Sequence, residues 1–393
     1  MRVNNMTNRQ STIEKLISEL CPDGVVFKDL ESLASIETGT QLNKTELSEI
    51  GDYAVLNGGI NPSGYYHEYN TIENTIAISQ GGASAGYVNF VTTKFWAGAH
   101  CFVIKPITDE INNRFLYFIL KNAQEKLQNA KLGAGIPGLN KKELQNFKIP
   151  IPPLAIQEEI VKILNSFTEL EAELEAELEA RKKQYKYYRD DLLNIKDVEY
   201  KALGEIGEFI RGNGLQKKDF TETGVGCIHY GQIYTYYGTF ADKTKTFVSE
   251  ELARKLKKAQ KGDVLIAGVS ENIEDVCKPL GWLGDEICIS GDMFAFRHNQ
   301  NTKFITYLLQ TTNFHKYKER YAQGAKVTRV KTSRILDYKI PVPPLKEQKR
   351  IVSILDKFDA LVNDISIGLP AELKARRSQY EYYRGKLLSF KTL

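Results

Sequence analysis

Nothing in this 393-residue chain approaches an uninterrupted run of about 18 apolar residues, the length a helix needs to cross a bilayer. The opening MRVNNMTNRQSTIEKL holds no apolar stretch of the signal-peptide kind, so the expectation is a soluble cytoplasmic protein that does not engage a membrane. Cysteine is scarce. Cys21, Cys101, Cys227, Cys277 and Cys288 are odd in number and form no C-x-x-C pair, which argues against a disulfide scaffold and for reduced thiols. The five histidines, His67, His100, His229, His298 and His315, show neither an H-E-x-x-H pattern nor a cysteine neighbour at zinc spacing. A P-loop signature is absent, so phosphoryl transfer has no candidate. A large excess of one charge is lacking too. With 53 Lys and Arg against 49 Asp and Glu, the net +4 permits contact with nucleic acid without demanding it.

What the chain does contain is a duplication. Pro150–Leu193 reads PIPPLAIQEEIVKILNSFTELEAELEAELEARKKQYKYYRDDLL, and Pro341–Leu388 reads PVPPLKEQKRIVSILDKFDALVNDISIGLPAELKARRSQYEYYRGKLL; their first 18 residues agree at 10 positions. Their ends, ARKKQYKYYRDDLL and ARRSQYEYYRGKLL, match at nine of 14. Prolines open each tract, and the first then runs on without another strong breaker, predicting one long helix. Its apolar residues Ile156, Ile160, Ile163, Phe167, Leu170 and Leu174 alternate steps of four and three, a narrow seam that requires a partner helix. After Leu174 an extra step of four reaches Leu178, a stutter, before the seam resumes at Arg181, Tyr185, Tyr188 and Leu192. The natural partner is the second copy, with Ile351, Ile354, Phe358, Leu361 and Ile365; Gly368 and Pro370 interrupt it and predict a kink or restart. Within the first copy, TELE, AELE and AELE stand in tandem from Thr168 to Glu179. Each unit of four adds about 6 Å of helix at roughly 1.5 Å per residue, against about 3.4 Å per DNA base pair.

In chain order, Ser11 or Thr12 can cap a short helix from Ile13 to Leu20, which Cys21-Pro22-Asp23-Gly24 ends. Because the long helix leads straight into Val198-Glu-Tyr-Lys-Ala-Leu, as the short one leads into Val25-Val-Phe-Lys-Asp-Leu, the C-terminal helix is expected to end near the N-terminus in a pseudo-two-fold ring. At an offset of 173, Leu30, Leu33, Ile36 and Gly39 correspond to Leu203, Ile206, Phe209 and Gly212, a spacing that suggests a helical turn ended by glycine. Strands running into loops follow at Tyr53–Ile60 and Gly226–Ile233, then at Thr75–Ser79 before Gln80–Gly86 and at Asp263–Ala267 before Gly268–Asn272. Strands at His100–Ile104 and Asp292–Arg297 precede helices at Asn113–Leu127 and Lys303–Tyr321. The expected architecture is α/β (α+β): two similar mixed domains at 25–149 and 197–340, separated by antiparallel coiled-coil helices at 150–196 and 341–393, with 1–24 packing near the C-terminus.

This order, a variable domain, an IPIPPL-x-x-Q helix ending in KQYKYYRDDLL, a second variable domain and an IPVPPL-x-x-Q helix ending in SQYEYYRGKLL, resembles the specificity subunit of type I restriction-modification systems. The resemblance covers essentially the whole chain and implies two target-recognition domains, each reading one half of a bipartite asymmetric site on double-stranded DNA. It implies that the helices set the gap, in step with repeat number. Two methylation subunits then dock on the scaffold and restriction subunits join through the complex. S-adenosylmethionine, ATP and Mg²⁺ would be bound by those partners and no cofactor by this chain. The adenine-methylating Asn-Pro-Pro-Tyr/Phe motif is missing: Pro152-Pro153 and Pro343-Pro344 follow Ile151 and Val342 and precede leucines, so a non-catalytic subunit is expected. The competing readings are a stand-alone DNA-binding regulator or decoy, and an enzyme with an unrecognised site.

Base edges are read by amide, hydroxyl and cationic side chains. In the first half the loops offer Thr40, Gln41, Asn43, Lys44, Asn57, Asn61, Ser79, Gln80 and Ser84; in the second, Asn213, Gln216, Lys217, Lys218, His229, Tyr230, Gln232, Ser270, Glu271 and Asn272. Before each Pro-Pro tract, Gly133-Ala-Gly-Ile-Pro-Gly-Leu-Asn-Lys-Lys aligns with Gly324-Ala-Lys-Val-Thr-Arg-Val-Lys-Thr-Ser at an offset of 191. Lys141, Lys142, Lys326, Arg329 and Lys331 are candidates for phosphates there, with Asn140 among them. The literal G-x-G-x-x-G in the first string is not a dinucleotide loop, since a polar helix precedes it, a proline interrupts it and its repeat lacks two of the glycines. Tyr185, Tyr187, Tyr188 and Arg189, with Tyr380, Tyr382, Tyr383 and Arg384, are the candidate docking residues for the methylation subunits, the alternative being packing on the adjacent domains.

Overall fold

The computed structural model describes residues 12–130, 138–324, 326–364 and 366–393. The chain divides into two compact units, Met1–Ala172 with Ala375–Leu393, and Glu173–Lys374. The boundary falls inside the TELEAELEAELE tract. Ser11, Ile365 and the glycines Gly133 and Gly135 lie outside the described residues.

In the first unit Thr75–Ser79 is buried along its whole length, as a strand covered on both faces must be. It stands between Cys101–Pro106 and Val88–Val91 in an antiparallel sheet completed by Ala34–Thr38. A second sheet holds Tyr53–Leu56 between Gly64–Tyr66 and Phe95–Ala97, the last pairing parallel. Val26–Asp29 pairs with Lys148–Ile151, so the strand that opens the recognition unit lies beside the one that closes it. The second unit repeats each of these pairings. Met293–His298 and Val264–Ala267 occupy the centre of its larger sheet, flanked by Gly207–Arg211 and Pro279–Trp282. Val225–Ile228 pairs parallel with Ile287–Ile289, and Tyr200–Ala202 closes on Lys339–Pro341. Its additional length forms short strands at Phe240–Ala241 and Lys258–Ala259 and helices at Tyr230–Thr235 and Glu250–Ala253.

Several expectations need correction. Only Leu30–Ser32 and Leu203–Ile206 are helical; Ile36 and Phe209 lie in strands, because Ala34 and Ile36 alternate inward opposite the central ladder. Gly39 and Gly212 end those strands rather than a helix. A Cβ on them would stand 2.3 Å from the Ala97 oxygen and 2.1 Å from the Ser290 oxygen, so the close approach of a second loop is what requires glycine. Gly226–Ile233 runs into a helix rather than a loop, since His229 caps it, accepting from Gly231 N at Nδ1. Gly268–Asn272 is partly strand: Val269–Ser270 pairs with Thr328–Arg329. Each expected helix after the sheet is broken in two, Asn113–Asn122 with Gln124–Asn129, and Thr302–Leu308 with Thr312–Tyr321, where the Thr311 hydroxyl caps the restart.

Leu154–Leu192 is one helix of 39 residues, whereas the second tract is two, Leu345–Asn363 and Leu369–Leu387, with Pro370 at the second position of the restart, where its missing N–H costs nothing. Ile156, Ile160, Leu164 and Phe167 enter the core of the first unit, while Leu178, Tyr185, Ile351, Val352 and Leu355 enter that of the second. Arg181, expected on the seam, is exposed and paired with Glu177. The duplication extends to side-chain contacts. In the first unit Phe167 stacks on Tyr383, centroids 5.6 Å apart, with Tyr380 at 6.1 Å. In the second its counterpart Phe358 stacks on Tyr188 at 5.5 Å, with Tyr185 at 6.4 Å. Glu171 pairs with Arg377 one turn along from Phe167, so the two segments there run antiparallel. The short helix 12–20 places Ile13 in the same core as Leu387 and Leu388, Glu14 pairs with Lys386, and Val25 bridges to Thr392.

The Pro-Pro-Leu-x-x-Gln pattern has a structural reason. Gln157 is fully buried; its Oε1 accepts from Asn112 N at 2.8 Å, and its Nε2 donates to the Glu110 and Pro152 oxygens, both at 2.8 Å. Gln348, also fully buried, accepts from Asn301 N at 3.0 Å and donates to Pro343 O at 2.9 Å and to Gln300 Oε1 at 2.8 Å. Asn112 and Asn301 in turn cap the first helix after each sheet. One glutamine per half thus ties the start of each long tract to its own recognition unit.

Candidate nucleic-acid interface

In the first unit the candidate loops converge on the turn at 97–100. Thr40 N donates to Ala97 O, Asn57 Oδ1 accepts from His100 N, and Gln80 N donates to His100 O. Gln80 O accepts from Leu139 N, and Gly81 bridges to Gly138, which draws in the segment bearing Asn140, Lys141 and Lys142. Trp96, which sequence reasoning missed, donates from Nε1 to Thr40 O at 3.0 Å and meets Tyr66 edge-on, holding the 40–44 loop.

In the second unit the matching loops meet at 290–292. Arg211 Nε donates to Gly291 O at 3.2 Å, Tyr230 N donates to Ser290 Oγ, and Gly268 N donates to Asp292 O. Both ends of the Asn213 amide are engaged, with Lys255 O and Lys257 N. A cleft of about 500 Å³ opens among Arg211, Gly268, Asp292, Phe294, Arg329 and Lys331. Three cations and one carboxylate line it, an excess of positive charge. Burial, and then the Lys217 ammonium, hold the nearby His229 imidazole below its usual range, so it is neutral at neutral pH and serves as a cap.

Many candidates turn out to have structural work. Ser79 and Ser270 are buried; the first donates to Gly59 O and the second accepts from Asn272 N. Asn57 holds His100, Asn140 caps the helix Lys141–Gln145, and Gln232 accepts from His229 N and reaches Thr246; Asn43 and Gln216 pair with Glu46 and Asp219 through their backbone N, and both side chains are exposed. Asn272 is closed on Asp275 through both ends of its amide. Ser84 and Gln80 are half-buried, and the Gln41 amide donates to Leu42 O. Exposed side chains left at the loop surface are Thr40, Asn43, Lys44, Asn61, Lys141, Lys142, Gln216, Lys217, Lys218, Glu271, Lys326, Arg329 and Lys331. Gln157, Gln348 and Arg211 were not picked out; for the glutamines a signal existed, since a polar residue recurs in both copies where the helix face is otherwise apolar.

The family described as type I restriction modification DNA specificity domain matches residues 22–180 and again 195–375. The chain belongs to that family. A Haemophilus influenzae protein bearing the provisional name of a type I restriction enzyme specificity subunit is 33% identical over 98% of this chain and 100% of its own length. The EcoR124I/EcoR124II specificity subunit of Escherichia coli is 39% identical over 62% of this chain and 63% of that one. In fold, the type I S subunit of M. genitalium superposes with a TM-score of 0.57 at 20% identity, covering 93% of this chain and 96% of that one. As a specificity subunit the chain recognises DNA sequence, and the catalytic activity of such systems resides in the partner subunits. DNA and the other subunits of a restriction-modification system are its partners. Among the described residues no helix is long and apolar enough to cross a membrane, and no group of three or more His, Cys, Asp or Glu stands ready for a metal.

Proposed function

We propose that each unit reads one half of a split, asymmetric site on double-stranded DNA, that the paired helices set the gap, and that the chain docks two methylation subunits, through which restriction subunits join. S-adenosylmethionine, ATP and Mg²⁺ are then held by the partners. The observation that carries this reading is the recurrence of the scaffold contacts, Gln157 with Gln348 and Phe167–Tyr383 with Phe358–Tyr188, on units whose loops differ. A conserved frame with divergent loops suits two different sequences presented to one helical lattice. Methylome sequencing of a host expressing this chain with its methylation subunit tests it: two unlike half-sites at a constant gap are expected, and a single contiguous motif would refute it.

Arg329, Lys331, Lys141 and Lys142 are the proposed phosphate contacts. Arg329→Ala should weaken binding evenly across sequences and lower the salt slope of log K by about one, measured by titration at several ionic strengths; altered base preference instead would assign Arg329 to base reading.

For docking, burial separates the aromatic candidates. Tyr185, Tyr188, Tyr380 and Tyr383 pack on Phe358 or Phe167, Arg189 lies over Tyr185, and Arg384 lies over Tyr380 and donates to Asn122. Tyr187 and Tyr382, at matching positions, are each 66% exposed. These two are the proposed anchors for the methylation subunits. Replacing both by Ala should cut co-purification at least tenfold while stability stays within about 0.5 kcal/mol, whereas Tyr188→Ala and Tyr383→Ala should each cost about 1–2 kcal/mol of folding. Undiminished co-purification of the Tyr187→Ala/Tyr382→Ala chain would discard the assignment.

A further inference from the structure

Lys318 is the one lysine among the buried polar residues of the described chain, 6% exposed, on the helix Thr312–Tyr321. At the offset of 191 that aligns the segments before the two long tracts, its counterpart in the first half is Leu127, 2% exposed and part of the apolar core. A buried ammonium where the repeat keeps a leucine is costly unless its protons are used. They are used on one short stretch: Nζ donates to the Glu274 and Val276 oxygens, the latter at 2.7 Å. That stretch closes the loop following the strand Val269–Ser270. The next residue, Cys277, is fully buried with φ +61, in the left-handed region that a non-glycine residue adopts only when its surroundings hold it there.

The same loop is tied at its other end. Val269 and Ser270 pair with Arg329 and Thr328, and the Tyr234 hydroxyl donates to Val269 O at 2.6 Å. Asn272 spends its amide on Asp275. Exposed along it are Glu271, Ile273 and Glu274, with Ile273 43% exposed although apolar; Glu274 is the residue whose carbonyl Lys318 holds. A carboxylate can accept from a cytosine or adenine amino group, and an aliphatic side chain can meet a thymine methyl. The first half solves the corresponding closure differently. There Gly86, at φ +84, lies so close to the backbone of Leu127 and Gln128 that a Cβ would be 2.7 Å from Gln128 N, so the loop abuts the helix directly without a side chain between them.

We propose that Lys318 is a positioning residue for base selection in the second half-site, clamping the loop by two carbonyls so that Glu271 and Ile273 face the DNA. The proposal rests on the reading of this unit as a DNA reader. Its test uses the full chain with its methylation subunits on a duplex library randomised across both half-sites. Lys318→Met keeps the side-chain volume but removes both donors. It should lose roughly tenfold in preference at one or two positions of the second half-site, leaving the first half-site and the salt slope unchanged. The surface variant Glu271→Ala/Ile273→Ala, which touches no core, should relax the same positions, and it decides the matter if Lys318→Met does not fold. Wild-type preference in the surface variant, or in a folded Lys318→Met chain, overturns the proposal, as does an equal loss at both half-sites. A wild-type chain that selects no split site refutes the functional reading itself, a result distinguishable from all of these.

Discussion

Deleting Ala172–Glu175, one AELE unit, shortens the gap in the recognised site by one to two base pairs and leaves both half-site sequences as they were. Four residues carry about 6 Å of helix, close to the axial rise of two base pairs at roughly 3.4 Å each. They also carry about 400° of rotation, only some 40° beyond a full turn, so Leu170, Leu174 and Leu178, spaced by four, exchange places along nearly the same face. The ties of each long tract to its recognition unit are kept, because Gln157 and Phe167 lie before the deletion and Tyr185 and Tyr188 after it, and the one core contact removed is that of the partly buried Leu174. The returning tract is already two helices, Leu345–Asn363 and Leu369–Leu387, and can take up the change at the join. Methylome sequencing of the deletion strain reads the outcome as a switch: sites at the old gap go unmethylated and sites at the shorter gap become methylated. Persistence of the old gap would show that something other than the repeat tract sets it.

Gln348→Ala should destabilise the second unit by about 3–5 kcal/mol. The amide serves three groups, Asn301 N, Pro343 O and Gln300 Oε1, and all three lose their partner at a fully buried position. Each unsatisfied buried group costs about 1–3 kcal/mol, and alanine adds a cavity. Amide hydrogen exchange of the full chain locates the loss. Protection should fall in Met293–His298 and Val264–Ala267 and persist in Thr75–Ser79 and Cys101–Pro106, with the reverse pattern for Gln157→Ala. A uniform loss in both units, or none, would mean that the glutamine does not tie its own unit to the helix.

How much of this was legible beforehand depends on the range of the interaction. The long helix, several strands along the chain and the duplicated framework follow from short-range periodicity and from a repeated string, and the interruption at Gly368 and Pro370 is visible as composition. The turn at Leu30–Ser32 was over-extended into Ile36 because a helical turn followed by an alternating strand imitates a step of three. Candidate base readers divide into engaged and exposed side chains for a definite reason. Asn, Ser and Gln serve loop closure as readily as recognition, and nothing local distinguishes Asn213, tied to Lys255 and Lys257, from Gln216, which stands exposed three residues on.

The amino-acid sequence by itself determined that the chain is a doubled framework of recognition unit and helix, with its variation placed in loops; chain connectivity and periodicity suffice for that, since both are properties of neighbouring residues. Only the tertiary structure decided which of its matched aromatics pack and which face outward, and which polar side chains are spent on holding loops, as Lys318 is on Glu274 and Val276. Those outcomes depend on which distant backbone oxygens and rings lie within 3 to 6 Å of a side chain, and that is set by the assembled sheets and helices.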